Sequence, residues 1–171
     1  MTNGTGSNTR VVGSLRAANG KGVVRMEDWY ETGIDDLWAA LTQPQRLVRW
    51  IAEVDGDLIP GGAFHARFTS GWDGPGRVDI CLPPQRLLLT MSPGEEDETV
   101  IEAVLSAEGD KTRLVIEERG LPLAEIAAHG AGWQVHVQDL AAHVDGGERV
   151  DWRSRWKDLI PTYQELAENL S

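Results

Sequence analysis

The sequence has 171 residues, 41% hydrophobic and 25% charged, a length and composition that suit one folded domain. Its net charge of −11 argues against nucleic acid or an anionic membrane as a partner, because both would repel the chain. The single cysteine, Cys81, excludes an intramolecular disulfide and a multi-thiolate zinc site.

The N-terminal sequence and the hydropathy of the chain bear on where in the cell the protein is expected. Residues 1–10 are rich in Gly, Ser, Asn and Thr, which predicts a flexible lead-in, and they lack the basic region and apolar core of a secretory signal. No apolar run approaches the roughly 20 residues that cross a bilayer. We therefore expect a cytoplasmic protein without a membrane span.

The first predicted elements are two strands and two short helices. Val11–Leu15 predicts a short strand, Asn19-Gly20 a tight turn, and Gly22–Tyr30 a longer returning strand. Two short amphipathic helices follow on either side of Pro44. Their apolar faces are Leu37, Trp38 and Leu41 in the first helix and Leu47, Trp50 and Ile51 in the second.

The segment from residue 63 to residue 119 alternates apolar and polar residues between turns that contain Gly or Pro. This period of two predicts a series of antiparallel strands with one apolar face. The residues predicted to face inward are Phe64, Phe68, Val78, Ile80, Leu82, Leu87, Leu89, Met91, Ile101, Ala103, Leu105, Leu114 and Ile116.

A long helix is predicted over Leu123–Val144, although Gly130 and Gly132 are poor helix formers near its start. One face of this helix carries Trp133, Val137, Leu140 and Val144. A sheet with one apolar face must cover that face, and this helix is long enough to do so. The sequence therefore predicts an α+β fold, a curved antiparallel sheet around a long C-terminal helix, with the functional site between them.

A last amphipathic helix is predicted beyond Gly146-Gly147, with Pro161 kinking it or starting a new helix. Its apolar face carries Trp152, Trp156, Leu159, Tyr163, Leu166 and Leu170. We expect residues 11–146 to form the domain and residues 147–171 to add a helix that packs on the domain or on a partner.

Several short motifs resemble one known family, the activator of Hsp90 ATPase homologues, over roughly residues 22 to 145. The motifs are Leu37–Pro44 with Leu47 and Trp50, Pro60-Gly61-Gly62, Gly76-Arg77-Val78, Pro83–Leu87, Thr112-Arg113-Leu114 and Gly132-Trp133. The resemblance implies the helix-grip fold of the START/Bet v 1-like superfamily, with two short helices after the first long strand. Members of that superfamily bind lipids and other apolar ligands, some cyclise polyketides, and the namesake stimulates a chaperone ATPase.

The inward-facing residues either fill a solid core or line a pocket between the sheet and the helix. We favour a pocket. Its candidate lining residues are Phe64, Phe68, Val78, Ile80, Leu89, Met91, Ile101, Ala103, Leu114, Ile116, Glu118, Trp133, His136, Val137 and Leu140.

Glu118 shares strand parity with Leu114 and Ile116, so it points toward the helix if the strand extends that far. A buried carboxylate without a partner is costly, which makes such a group a functional candidate. Alternatively, the strand ends at Glu117 and Glu118 lies in water at the rim of the sheet. We favour the rim; an inward Glu118 could bind the polar end of a ligand or act as an acid or base.

His129, His136 and His143 recur every seven residues along the long helix. Residues at this spacing lie about 10.5 Å apart along a helix axis, too far to share one metal ion. We therefore predict no metal site and no cofactor. We keep His136 as a residue that could hydrogen-bond a ligand.

Three tryptophans are candidates for partner contacts: Trp72 in a glycine-rich loop, and Trp152 and Trp156 in the last helix. Trp72 could instead cover the pocket or fold back onto the domain. The sequence contains no nucleophile or phosphate-loop motif, and we assign no catalytic residue.

The function predicted first is non-catalytic binding of a small apolar or amphipathic ligand. The second hypothesis is a protein-interaction module that acts like the chaperone activator, with a protein partner or a second copy of the chain. The third is a cyclase-like enzyme, for which only Glu118 and His136 are available.

Overall fold

The structure is a computed structural model that describes residues 11–56 and 58–170, so the predicted lead-in lies outside the described residues. In these residues one sheet contains eight strands: β1 (Val12–Ala18), β2 (Lys21–Tyr30), β3 (Ala52–Gly56), β4 (Ala63–Phe68), β5 (Asp73–Leu82), β6 (Arg86–Met91), β7 (Thr99–Glu108) and β8 (Lys111–Leu121). The helices are α1 (Ile34–Thr42), α2 (Pro44–Leu47), α3 (Ile126–Val144) and α4 (Trp152–Glu168), with a 3-10 turn at Leu123–Glu125.

All strand pairs are antiparallel, in the order β1-β2-β8-β7-β6-β5-β4-β3. The predicted turn at Asn19-Gly20 joins β1 to β2 with positive φ angles of 54° and 79°, as a tight hairpin requires. Helix α3 packs on the sheet, where the Tyr30 hydroxyl donates to the Val137 carbonyl oxygen at 3.1 Å. Together with α1 and α2 after β2, this arrangement confirms the predicted helix-grip fold.

The alternation of β5 changes at a bulge after Val78. Beyond the bulge, Ile80 lies opposite the outward-facing Leu88. Cys81 instead packs against the core, and Leu82 is 54% exposed. The prediction that Ile80 and Leu82 face inward is wrong, because one inserted residue exchanges the two faces of a strand.

Helix α4 packs along α3 of the same chain and buries Leu159 and Tyr163. Glycines of α3 make this approach close: a Cβ atom on Gly130 would lie 2.5 Å from Tyr163 Cδ1, and one on Gly132 would lie 3.2 Å from Trp152 Cζ2. The glycines that weaken α3 as an isolated helix therefore provide the surface on which the rings of α4 rest.

The connection between α3 and α4 is held by Asp139, whose Oδ1 accepts a hydrogen bond from the Val150 backbone N–H at 3.0 Å. Burial raises the pKa of Asp139 to about 6. Helix α4 then continues through Pro161 without a break. No new helix begins at Pro161, and Leu159 and Tyr163 on its two sides are both buried in the same hydrophobic core.

We expect Gly130→Ala to lower the free energy of unfolding by about 1 to 2 kcal/mol, although alanine alone favours a helix by about 1 kcal/mol. The new methyl group would displace the buried Tyr163 ring and approach Leu15 to 3.0 Å. Gly132→Ala is the matched comparison, and its loss should be smaller because only Trp152 must shift slightly. Urea denaturation measures both variants, and a Gly130→Ala protein as stable as the native one would contradict this packing.

Candidate functional site

A cavity of about 600 Å³ opens between the concave face of the sheet, the first half of α3 and the start of α4. Met91 and Ile101 from β6 and β7 and Leu121 at the end of β8 form its sheet side. Its other side is formed by α3 and α4. A cavity of this volume is large enough for a drug-sized molecule.

A second, smaller cavity of about 80 Å³ adjoins the first and reaches α1 and α2. The two cavities share the side chains of Phe68, Met91, Ile101 and Trp133. The smaller cavity is lined almost entirely by apolar residues, including Phe64, Leu89, Ala103 and Ile116. The site therefore combines a wide outer chamber with a narrow apolar inner end.

Six ring side chains form much of the outer chamber: Phe68, Trp72, Trp133, His136, Trp152 and Trp156. Trp72 meets Phe68 edge to face at 5.4 Å between ring centroids, and Trp152 stacks on Trp156 at 5.9 Å. The Trp156 indole N–H also donates to the Ala128 carbonyl oxygen at 3.0 Å. These contacts fix the rings, so the wall of the chamber is preformed.

Glu118 lies in β8, which continues to Leu121, so its side chain points toward α3 and lines the chamber. Its Oε1 accepts a hydrogen bond from the Trp133 indole N–H at 2.8 Å, and its Oε2 accepts one from the Thr99 hydroxyl at 2.7 Å. The preference for a position in water at the rim is therefore wrong. The strand persists because Glu118 pairs in register with Val24 of β2 and Ile101 of β7.

His136 is 4% exposed and lies among the rings of Phe68, Trp133 and Trp152, at centroid distances of 5.8, 5.5 and 6.1 Å. Burial lowers its pKa to about 3, so the imidazole is neutral at pH 7. Its Nδ1 is buried and has no hydrogen-bond partner among the described residues, and neither does the Trp152 indole N–H. Two buried polar atoms of side chains that line the chamber are thus unsatisfied within the described residues.

The other helix histidines lie apart from His136. His129 is 3.6 Å from Glu125 at the mouth of the cavity, and His143 accepts a hydrogen bond from the Arg46 guanidinium at 2.8 Å. Residues 11–56 and 58–170 hold no group of three or more candidate metal ligands. The remaining charged groups at the mouth are Asp97, Arg153 and Lys157.

A family model described as "Activator of Hsp90 ATPase homolog 1-like protein" matches residues 31–145. The chain belongs to this family. The match confirms the resemblance that the motifs indicated. It ends before α4, so the Trp152 and Trp156 side of the chamber lies outside the matched segment.

Several solved structures are similar to this family member. CalU16 from Micromonospora echinospora is 24% identical with a TM-score of 0.77, covering 93% of this chain and 98% of that one. EF2215 from Enterococcus faecalis is 16% identical with a TM-score of 0.71, covering 95% of each chain. DynU16, from the dynemicin biosynthetic locus, is 28% identical with a TM-score of 0.68, covering 75% of this chain and 50% of that one. None of the curated proteins matches this sequence.

Ten of the candidate lining residues do line the two cavities of this family member. Phe68, Met91, Ile101, Glu118, Trp133 and His136 line the outer chamber, and Phe64, Leu89, Ala103 and Ile116 line the inner end. Five candidates do not: Val78, Leu114, Val137 and Leu140 are packed in the solid core, and Ile80 is on the outer face. Alternation identifies the inner face of a sheet but not which part of that face is filled by side chains.

Trp72, Trp152 and Trp156, the candidates for partner contacts, line the chamber of their own chain, and for Trp72 this agrees with the alternative that it covers the pocket. Sequence reasoning missed Thr99, although Thr99 shares strand parity with Ile101 and that signal could have found it. Arg153, Lys157 and Glu125 reach the mouth from segments next to or beyond α3, and no periodic pattern links them to the sheet. Across the described residues, no helix has the length and apolar character needed to cross a membrane.

Proposed function

We propose that this protein is a non-catalytic binding protein that holds a small apolar or amphipathic ligand between its sheet and its helices α3 and α4. The observation that carries the proposal is the cavity of about 600 Å³ with a preformed wall of rings and an apolar inner end. An apolar group would enter the inner end, and a more polar group would remain in the outer chamber.

The unsatisfied atoms support a ligand in the outer chamber. Buried polar atoms are hydrogen-bonded in the large majority of cases, because leaving one unpaired costs about 1 to 3 kcal/mol. His136 Nδ1 and Trp152 Nε1 both lack a partner among the described residues. Both atoms are covered by their neighbours, so a ligand would recover part of this cost only after a shift of the His136 or Trp152 side chain exposes the atom to the chamber.

The two other hypotheses have weaker support. Trp152 and Trp156, which motivated the interaction module, are engaged by their own chain. For a cyclase-like enzyme, Glu118 and His136 do share one chamber. The low pKa of about 3 makes His136 a weak base, and general bases work best with a pKa near the working pH. Binding is therefore the function that these side chains favour.

Native mass spectrometry of the purified protein tests the proposal. We expect a complex heavier than the polypeptide mass that releases one small molecule per chain on gentle activation. Chemical denaturation and extraction would then identify the molecule. A protein that carries no ligand and binds no apolar probe at its solubility limit would contradict the proposed function.

We expect Ala128→Trp to lower ligand occupancy at least tenfold while leaving the melting temperature nearly unchanged. Ala128 is exposed and lines the chamber mouth, so a large ring there should occlude the chamber without disturbing the core. Ala124→Trp is the matched control, because Ala124 is exposed in the neighbouring 3-10 turn and does not line the cavity. Equal occupancy in Ala128→Trp and the native protein would mean that the ligand binds elsewhere.

A further inference from the structure

The Glu118 carboxylate lies in a chamber lined by aromatic rings, and both hydrogen-bond donors to it are neutral. One donor is the indole of Trp133 and the other is the hydroxyl of Thr99. Among the described residues it forms no ion pair, although Glu117 and Arg119 on the outer face of the same strand both do. Strand β8 thus pairs the charges on its outer face and leaves one negative charge unpaired on its inner face.

The surroundings of Glu118 leave that charge uncompensated. His136 is the other titratable group deep in the chamber, and its low pKa keeps it neutral at pH 7. Arg153 and Lys157 line the chamber, but both are exposed residues of α4. Asp97 and Glu125 are exposed residues of the same mouth. These two acidic and two basic groups lie at the mouth together with His129, and Glu118 adds its carboxylate charge inside the chamber.

A carboxylate has room for more hydrogen bonds than Glu118 makes. Each carboxylate oxygen can accept two hydrogen bonds, and each Glu118 oxygen accepts one within the described structure. Four tryptophan rings also line the chamber, and tryptophan is the aromatic side chain that binds cations most strongly. A half-buried anion in a chamber lined by such rings is complementary to a positively charged group and unfavourable for a negative one.

We infer that the ligand carries a cationic ammonium group, which binds in the outer chamber against Glu118 and the tryptophan faces, while its apolar part enters the inner end. This inference rests on the proposed function and specifies its ligand class. The charge supplies specificity, and the apolar part contributes the burial. The occupant is therefore an amphipathic amine or quaternary ammonium compound.

Three matched probes test the inference on the full-length protein by tryptophan fluorescence titration. They are benzyltrimethylammonium, its neutral isostere neopentylbenzene, in which carbon replaces nitrogen, and the anion benzylsulfonate. We expect the cation to bind at least tenfold more tightly than the neutral isostere and the anion to bind most weakly. A cation-to-neutral ratio below ten, or tighter binding of the anion, overturns the inference.

The Glu118→Gln variant tests whether Glu118 causes the preference for the cationic over the neutral probe. The amide keeps the shape and can still accept from Trp133, so we expect unchanged affinity for the neutral probe and at least a fivefold fall in the cation-to-neutral ratio. Glu125→Gln is the matched control, because it removes one charge from the exposed mouth of the same cavity. Glu125→Gln should change the cation-to-neutral ratio by less than twofold relative to the native protein. A ratio that falls equally in both variants, or less than fivefold in Glu118→Gln, overturns the inference.

The outcomes separate the inference from the proposed function. If the neutral probe binds as tightly as the cation, the cavity binds ligands and only the inference fails. If no probe binds and native mass spectrometry finds no ligand, the proposed function fails and the inference fails with it. If Glu118→Gln does not fold, the ranking of the three probes on the native protein decides alone.

Discussion

Tyr163→Ala should lower the free energy of unfolding by about 4 kcal/mol, which is the scale for removing a buried aromatic side chain. Tyr163 is 1% exposed and seals the contact between α4 and α3 over Gly130. Its hydroxyl also donates to Gln134 Oε1 at 2.6 Å, and this partner would be left without its donor. The truncation therefore creates a cavity and an unpaired acceptor at the same place.

Urea denaturation at pH 7 measures this loss. Hydrogen exchange should also show faster exchange of the α4 amides than in the native protein, because α4 loses its main anchor. Leu166→Ala is the matched control on the same helix, since Leu166 is 37% exposed, and its effect should stay within about 0.5 kcal/mol. Equal losses in the two variants would contradict the role of Tyr163 as the anchor.

His136 should make the protein sensitive to acid. Its pKa is about 3 in the folded protein, whereas a histidine in an unfolded chain titrates near about 6.5. Between these values the unfolded chain binds a proton that the folded protein does not, so stability falls as the pH falls through about 6.5. From pH 7 to about pH 4.5 the loss from this group is about 3 kcal/mol.

His136→Phe should remove this loss, because phenylalanine keeps a ring of similar shape and does not titrate. Asp139 has the opposite effect on stability. Because its pKa is raised to about 6 in the folded protein, it adds stability as the pH falls from about 6 toward its pKa in the unfolded chain. Both proteins contain Asp139, so the difference between them isolates His136. The measurement is urea denaturation of both proteins at pH 7 and 4.5, and an identical pH dependence would contradict a buried, neutral His136.

The segment that closes the chamber lies beyond the part of the chain that defines the family. The family match ends at residue 145, whereas Trp152, Arg153, Trp156 and Lys157 all line the cavity. Within the matched segment, Glu118 and Trp133 supply the hydrogen-bonded centre of the chamber. Substitutions in α4 would thus change one side of the cavity without touching the sheet or α3.

The sequence by itself determined the architecture of this protein. Period-two alternation over residues 63–119, the turn at Asn19-Gly20 and the apolar stripe of α3 each depend on near neighbours in the chain, and together they require a sheet that grips a helix. The same local patterns identified the sheet side of the cavity. They failed at the bulge in β5, because the added residue is seen only in the pairing with β6.

Only the tertiary structure decided which side chains line the chamber. The inward orientation of Glu118 depended on the pairing of β8 with strands distant in sequence. Gly130 and Gly132 are unfavourable for a helix in isolation, and their role appears only in the packing of the α4 rings on them. The location of Trp152 and Trp156 likewise depended on α4 docking in cis. These features arise from contacts between segments that are distant in sequence. Whether a packed interior contains a cavity depends on the combined shapes of many side chains, which a local sequence pattern does not reveal.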